Sequence, residues 1–146
     1  MGRLVWPGWW LGLLLVVPRV PAAAQTAESV QRPAPVELRE PYPNPSFPAA
    51  VIPFTISPEV CRNGHLPTVS LRIYNVLVQV VAIPVLPGAP PQRLEKTRLR
   101  CGEFEAVWDG KVQDGNRDAA PGIYYYQLTV DGLRYTGKMI VPGKPR

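Results

Sequence analysis

The sequence contains little of what most catalytic centres require. It has one histidine, His65, and two cysteines among its 146 residues. A single histidine provides neither a set of zinc ligands nor a spare group to orient a Ser-His-Asp arrangement. A glycine-rich phosphate loop is missing too, and Asp109, Asp114 and Asp118 lack the spacing of a calcium-binding loop. We therefore expect no enzymatic activity, no metal and no cofactor.

Helical spacing of apolar residues is also missing beyond the N-terminal segment. The 19 prolines of the chain disfavour long helices, because proline lacks the N–H group and clashes with the preceding helical turn. Hydrophobic residues still make up 46% of the sequence, which is enough to build a core. This balance favours one small all-β domain with irregular flanking segments.

Residues 1–24 have the pattern of a secretory signal peptide. Arg3 precedes the apolar stretch Leu4–Val17, and Ala22–Ala24 forms a small-residue cleavage site before Gln25. The apolar stretch is shorter than the roughly 20 residues that a membrane-spanning helix needs. We expect a secreted or periplasmic protein of the cell envelope, without a membrane span once the leader is removed.

Residues 25–40 are polar and contain Pro33 and Pro35, which predicts a flexible tether before a folded domain over 41–146. Loss of the leader removes two of the 16 basic residues and none of the 11 acids, so the net charge falls from +5 to 14 − 11 = +3. An exported chain of this modest charge is not expected to bind nucleic acid. The candidate partner-binding cations form one segment: Arg93, Lys96, Arg98 and Arg100.

The two cysteines, Cys61 and Cys101, remain in the processed chain, 40 positions apart. In an oxidising compartment such a pair predicts a disulfide bond, and two buried thiols are the alternative. A catalytic pairing of Cys61 with His65 is not expected, because the segment between them is typical of a turn and not of a helix.

Alternation of apolar and polar residues predicts short strands over 51–57, 68–76 and 103–108. The first contains a proline, which favours an edge position. Residues 123–141 have the pattern of a hairpin around Asp131-Gly132, a pair suited to a two-residue type I′ turn. Short strands separated by turns, with no long helices between them, predict an antiparallel sandwich.

Several motifs occur in order along these strands. They are Pro43-Asn44-Pro45-Ser46, Leu71-Arg72-Ile73-Tyr74-Asn75, Val107-Trp108-Asp109-Gly110 and Pro121-Gly122-Ile123-Tyr124-Tyr125-Tyr126. In this order they resemble the immunoglobulin-like domain of the flagellar hook-capping protein, and they are equally similar to the C-terminal sorting domains of the type IX secretion system. The resemblance covers about 41–142 and implies an immunoglobulin-like β-sandwich of about seven strands. Its core and turn positions here are Asn44, Tyr74, Trp108, Asp109, Gly110, Gly122, Tyr124 and Tyr126.

The sequence departs from this pattern at Val78-Gln79, where the similar domains have glycine and a basic residue, and in the long proline-rich stretch 84–99. The function we expect is that of an exported, non-enzymatic immunoglobulin-like binding or structural module. An exposed edge strand, the loop 84–91 or the basic segment 93–100 would bind a protein partner in the envelope or outside the cell. The alternative is a secretion or surface-attachment domain of the type IX kind.

Overall fold

The computed structural model describes residues 34–46, 49–113 and 115–143, together with Gly2 and Gly8. The chain divides into two units, Met1–Gln31 and Arg32–Arg146. All described residues except those two glycines belong to the second unit. The predicted signal peptide and residues 25–33 of the predicted tether therefore lie outside the described residues, apart from Gly2 and Gly8.

Ten strands form two antiparallel sheets in the described part of the chain. The strands are β1 (Val36–Leu38), β2 (Ala50–Ile56), β3 (Thr68–Tyr74), β4 (Val80–Ala82), β5 (Val85–Leu86), β6 (Gln92–Arg93), β7 (Thr97–Arg98), β8 (Gly102–Trp108), β9 (Gly122–Val130) and β10 (Leu133–Val141). The first sheet has the order β1-β2-β8-β5-β6. The second has the order β10-β9-β3-β4, with β7 also paired to β3. A 3-10 segment, Pro58–Gly64, follows β2.

This strand order is that of an immunoglobulin sandwich. β1, β2, β8 and the β5-β6 pair occupy the positions of strands A, B, E and D, while β3, β9 and β10 occupy those of C, F and G. The fold class predicted from the sequence is therefore confirmed. The described residues form ten strands instead of about seven, because the proline-rich stretch between β4 and β8 contributes several two-residue strands.

The core lies between the two sheets and consists of the alternate, inward-facing residues of the long strands. Its fully or almost fully buried members include Ile52, Phe54, Ile56, Val69, Leu71, Ile73, Ala106, Trp108, Tyr124, Tyr126, Leu128, Val130 and Met139. Burying one large aliphatic or aromatic side chain contributes about 1.5–3 kcal/mol. The alternation that gives this core also turns every second residue of each strand toward solvent.

The prediction that β2 is an edge strand is wrong. β1 pairs with β2 from Val36 to Leu38, within the segment predicted to be a tether. Three residues are too few to show the period-2 pattern that marks a strand, so alternation could not reveal this pairing. The Arg39 N–H donates to the Pro53 carbonyl at 3.0 Å, so the carbonyl of Pro53 faces the β1 side. The nitrogen of Pro53 faces the same way. Proline is tolerated here because its missing N–H removes no hydrogen bond to β8.

Two local predictions are confirmed. Cys61 and Cys101 form a disulfide with a Cα–Cα distance of 6.0 Å, linking the 3-10 segment to the residue before β8. The β9-β10 hairpin turns at Asp131 and Gly132, whose φ angles of 48° and 86° are both positive, as a type I′ turn requires.

The disulfide is compatible with an oxidising, non-cytoplasmic compartment. Among the described residues, no helix has the length and apolar character needed to span a membrane.

Candidate binding surface

Trp108 and Tyr124 close one end of the sandwich. The Trp108 side chain is buried, and its Nε1–H donates to the Lys111 carbonyl at 2.8 Å. The Tyr124 ring lies 5.8 Å from the Trp108 ring, centroid to centroid. The Tyr124 hydroxyl donates to the Ala120 carbonyl at 2.8 Å, and burial raises the pKa of Tyr124. Hydrogen bonds to the connecting loop therefore fix both rings, and Trp108 also lines a small hollow of about 200 Å³.

Asp109, Gly110 and Gly122 shape the loop that connects β8 to β9. The Asp109 carboxylate accepts a hydrogen bond from the Lys111 N–H at 3.0 Å. The Gly110 carbonyl accepts one from Ala119 at 2.8 Å. Gly110 and Gly122 have φ angles of 79° and 153°, which favour glycine over residues with a Cβ. These three motif positions therefore set the course of the backbone.

Asn44 and Tyr126 fasten the N-terminal segment to the second sheet. The Asn44 Oδ1 accepts a hydrogen bond from the Ile140 N–H at 3.3 Å. The Tyr126 ring lies over Gly137, and its hydroxyl donates to the Arg39 carbonyl at 3.2 Å. Burial raises the pKa of Tyr126. Arg39 faces Pro53, which has no N–H to offer that carbonyl, so the tyrosine takes the place of the missing donor.

The four cations of the basic segment do not line one common site. Leu94 and Leu99 are buried between them, so the segment crosses from the first sheet to the second as a packed strap. Arg93 lies 3.9 Å from Glu95 and lines a hollow of about 200 Å³. Lys96 lines a different groove, on the second sheet. Arg98 lies on β7 and Arg100 follows it, and both are exposed.

The proline-rich stretch is also more ordered than a free loop. Pro84 is fully buried, and Val85 pairs with both β6 and β8. Pro87 and Pro90 line a hollow of about 730 Å³ on the first sheet, beside Glu103. The outer face of this sheet carries three acids, Glu37, Glu103 and Glu105, beside Arg39, and Arg93 of β6 faces the same side.

A groove of about 760 Å³ covers the outer face of the second sheet, and we call it the outer groove. It is built from the outward residues of β3, β9 and β10 and from the segments that flank them. The residues lining it are Thr68, Ser70, Arg72, Tyr74, Asn75, Val78, Lys96, Tyr125, Gln127, Thr129, Asp131, Gly132, Arg134 and Thr136.

Strand register arranges the outer groove in rows across the sheet. Tyr74 is opposite Tyr125, and Arg72 is opposite Gln127. Gln127 in turn is opposite Thr136 and donates to its hydroxyl at 3.1 Å. Alternation over 68–76 predicts that Ser70, Arg72 and Tyr74 face solvent, but it does not predict that they form a site. Alternation marks the outward residues of each strand, whereas the groove depends on which strands are neighbours.

One end of the outer groove carries an exposed apolar turn at Val76, Leu77 and Val78. Leu77 and Val78 are 73% and 78% exposed. The Asn75 Oδ1 holds the turn by accepting hydrogen bonds from the N–H groups of Leu77 and Gln79, both at 3.0 Å. Val78 has a φ of 60°, which is unfavourable for a β-branched residue.

The other end is held by Asp131 in the hairpin turn. One oxygen of the Asp131 carboxylate lies 2.7 Å from His65 Nε2, and the other accepts the Thr68 N–H at 2.9 Å. The hydrogen bond with His65 is the main cause that lowers the pKa of Asp131. Within 34–46, 49–113 and 115–143, no group of three His, Cys, Asp or Glu side chains is placed to hold a metal ion.

Comparison with family models, with curated proteins and with solved structures gives no match to this chain. The candidate surface is therefore defined by its own geometry. It combines two tyrosines, an exposed apolar turn and several cations on one sheet face, whereas the opposite face has three acids beside Arg39.

Proposed function

We propose that this protein is an exported, non-enzymatic immunoglobulin-like module that binds a protein partner in the cell envelope or extracellular space. The outer groove is the binding surface. The disulfide supports an extracytoplasmic setting, and the leader pattern of residues 1–24 agrees with it. The motif resemblance to hook-capping and sorting domains adds the expectation of a role in surface assemblies.

The observation that carries the proposal is the composition of the outer groove. Tyr74 and Tyr125 lie side by side on neighbouring strands, and Tyr125 is 39% exposed. Tyrosine and arginine are enriched at the centres of protein interfaces. The exposed turn at Val76–Val78 adds an apolar contact at the rim, of the kind that marks an interaction surface. Arg72 supplies a directional donor beside them.

A pair of matched double variants tests this assignment. The groove variant carries Tyr125→Ala and Arg72→Ala. The control carries Tyr42→Ala and Arg39→Ala on the opposite sheet, where Tyr42 is 46% exposed and Arg39, like Arg72, pairs with a glutamate. Each processed protein is used to capture proteins from the envelope of its own cells, and the captured proteins are identified by mass spectrometry.

We expect one set of proteins to be retained by the wild type and by the control, and to be lost with the groove variant. The side chains involved are solvent-exposed, so circular dichroism should show both variants folded. Identical capture by all three proteins would contradict the proposal. Loss with the control and not with the groove variant would place the binding surface on the first sheet instead.

A further inference from the structure

The free edge of β10 offers main-chain groups that no described residue uses. The Ile140 N–H and C=O point away from β9, since Asn44 and Ser46 bind them. Because backbone groups alternate in direction along an antiparallel strand, those of Arg134, Thr136 and Lys138 point the same way. None of these three residues has a main-chain hydrogen bond across that edge within the described part of the chain.

The side chains along this edge carry unpaired positive charge. Arg134, Thr136 and Lys138 are all exposed on the outer face. Their neighbours on β9 are the uncharged Thr129, Gln127 and Tyr125. Neither Arg134 nor Lys138 lies within ion-pair distance of an acid among the described residues. An incoming strand would therefore meet two cations flanking one threonine.

We propose that the β10 edge binds an extended acidic segment of a partner protein by strand addition. This inference rests on the proposed function and specifies its partner. A strand added beside β10 pairs with the open N–H and C=O groups of Arg134, Thr136 and Lys138. Its residues opposite Arg134 and Lys138 lie on the same outer face as those cations. The matching sequence has acidic residues at positions i and i+4.

The intervening positions of the partner strand face the other way. They lie opposite Tyr135, which is half-buried, and Gly137, which has no side chain. Small apolar residues such as valine fit positions i+1 and i+3, because they extend the apolar layer at the margin of the sandwich. The pattern recognised is therefore acidic, apolar, any residue, apolar, acidic.

A second copy of this chain is a poorer occupant of the edge. Antiparallel pairing of two β10 strands about Thr136 would place Arg134 of each copy opposite Lys138 of the other. Like charges directly opposite each other destabilise a strand pair, and basic residues on an edge strand protect against self-association. The same two cations thus discriminate against the second copy and in favour of an acidic strand.

Synthetic peptides test the inference directly. The probe is Thr-Glu-Val-Thr-Val-Glu-Thr, capped at both ends, which has the same sequence in both directions and ends before Ile140, whose edge groups bind Asn44 and Ser46. One comparison peptide has lysine in place of both glutamates, and another is N-methylated at the central threonine. Binding to the processed protein is followed by NMR, through the shifts and hydrogen exchange of the Arg134, Thr136 and Lys138 amides.

We expect the glutamate peptide to slow exchange of these three amides and to bind about tenfold more tightly than the lysine peptide. The N-methylated peptide should not bind. Reversal of the protein charges, with Arg134→Glu and Lys138→Glu, should reverse the preference between the first two peptides. Equal binding of the glutamate and lysine peptides, or no binding of either, would overturn the inference. Slow exchange of the three amides in the free protein would also overturn it, because another part of the chain would then already occupy the edge.

Thr136→Pro and Thr136→Val separate this inference from the proposed function. Proline removes the edge donor without touching the main-chain bonds to β9, a position where an edge strand tolerates it, whereas valine keeps the donor. Both substitutions remove the hydroxyl that accepts from Gln127, so the loss of that bond is the same in the two variants. We expect peptide binding and envelope capture to be lost with proline and kept with valine. Normal capture by Thr136→Pro would overturn strand addition and leave the outer groove as the binding surface. Normal capture by the Tyr125→Ala and Arg72→Ala variant would instead contradict the proposed function.

Discussion

At the scale of single residues, Gly137 lies directly beneath the ring of Tyr126. A Cβ at this position would overlap the tyrosine ring. The Tyr126 hydroxyl reaches the Arg39 carbonyl only because β10 has a glycine at position 137. Alternation along β10 puts Gly137 on the same face as Tyr135 and Met139, but the ring that requires a glycine there comes from the neighbouring strand.

Gly137→Ala should lower the free energy of unfolding by about 1–3 kcal/mol, because the added methyl group displaces the Tyr126 ring. Gly143→Ala is the matched control, since a Cβ there has an ordinary contact of 3.8 Å with Pro121, and it should change stability little. Urea unfolding of both variants measures the difference. Equal stability of the two variants would show that Tyr126 does not depend on Gly137.

Asp131 predicts a specific response to acid. Its pKa is lowered from the ordinary value of 3.8, chiefly by the hydrogen bond with His65. A carboxylate whose pKa is lower in the folded state stabilises the fold above its unfolded pKa, and that contribution is lost as the pH falls through the folded pKa. The loss should therefore begin near pH 4 and continue below it.

Asp131→Asn should reduce the loss of stability over this acidic range, as followed by urea midpoints at a series of pH values. Asparagine keeps the preference for a positive φ in the turn, so the substitution isolates the charge. If wild type and variant lose stability equally on acidification, the interaction of Asp131 with His65 does not contribute to the acid response.

At the scale of elements, the disulfide joins the 3-10 segment to the start of β8 across 40 positions. Closing a loop of this length stabilises the folded state by about 4 kcal/mol in the chain-entropy treatment. The variant with Cys61→Ser and Cys101→Ser should lose about that much in urea unfolding without reductant. Reduced wild type should match the variant, and a variant as stable as the oxidised wild type would contradict this account.

Long strands joined by a turn with a clear sequence signal could be predicted from the sequence, and very short strands could not. The β9-β10 hairpin has nine-residue strands and an Asp-Gly turn, so alternation and turn chemistry agree on it. β1 and the short strands β5, β6 and β7 have only two or three residues each. Their positions depend on tertiary contacts, such as the burial of Leu94 and Leu99, that no local pattern encodes.

The candidate site was less predictable than the fold. The cluster Arg93 to Arg100 suggested a single basic surface, but the burial of Leu94 and Leu99 turns it into a strap between sheets. The cations at the β10 edge, Arg134 and Lys138, are separated by a tyrosine, a threonine and a glycine, so they form no run of charge in the sequence. They become an edge only through the pairing of β10 with β9 on one side alone.

At the scale of the whole molecule, the sandwich presents two unlike faces. Acids surround Arg39 on the outer face of the first sheet. Tyrosines and cations line the outer groove of the second. Charge complementarity between such a face and its partner governs the choice of partner and the rate of encounter more than it governs affinity. A partner should therefore approach the second sheet, and the first should remain free.

Photo-crosslinking in the cells of origin tests this central claim most directly. A photoreactive amino acid replaces Gln127 in the outer groove or, as the control, Thr55 on the opposite sheet. Both are half-buried residues on the outer faces of interior strands. The account predicts that illumination yields a discrete crosslinked product from position 127 and none from position 55. A product from position 55 alone, or none from either position, would contradict it.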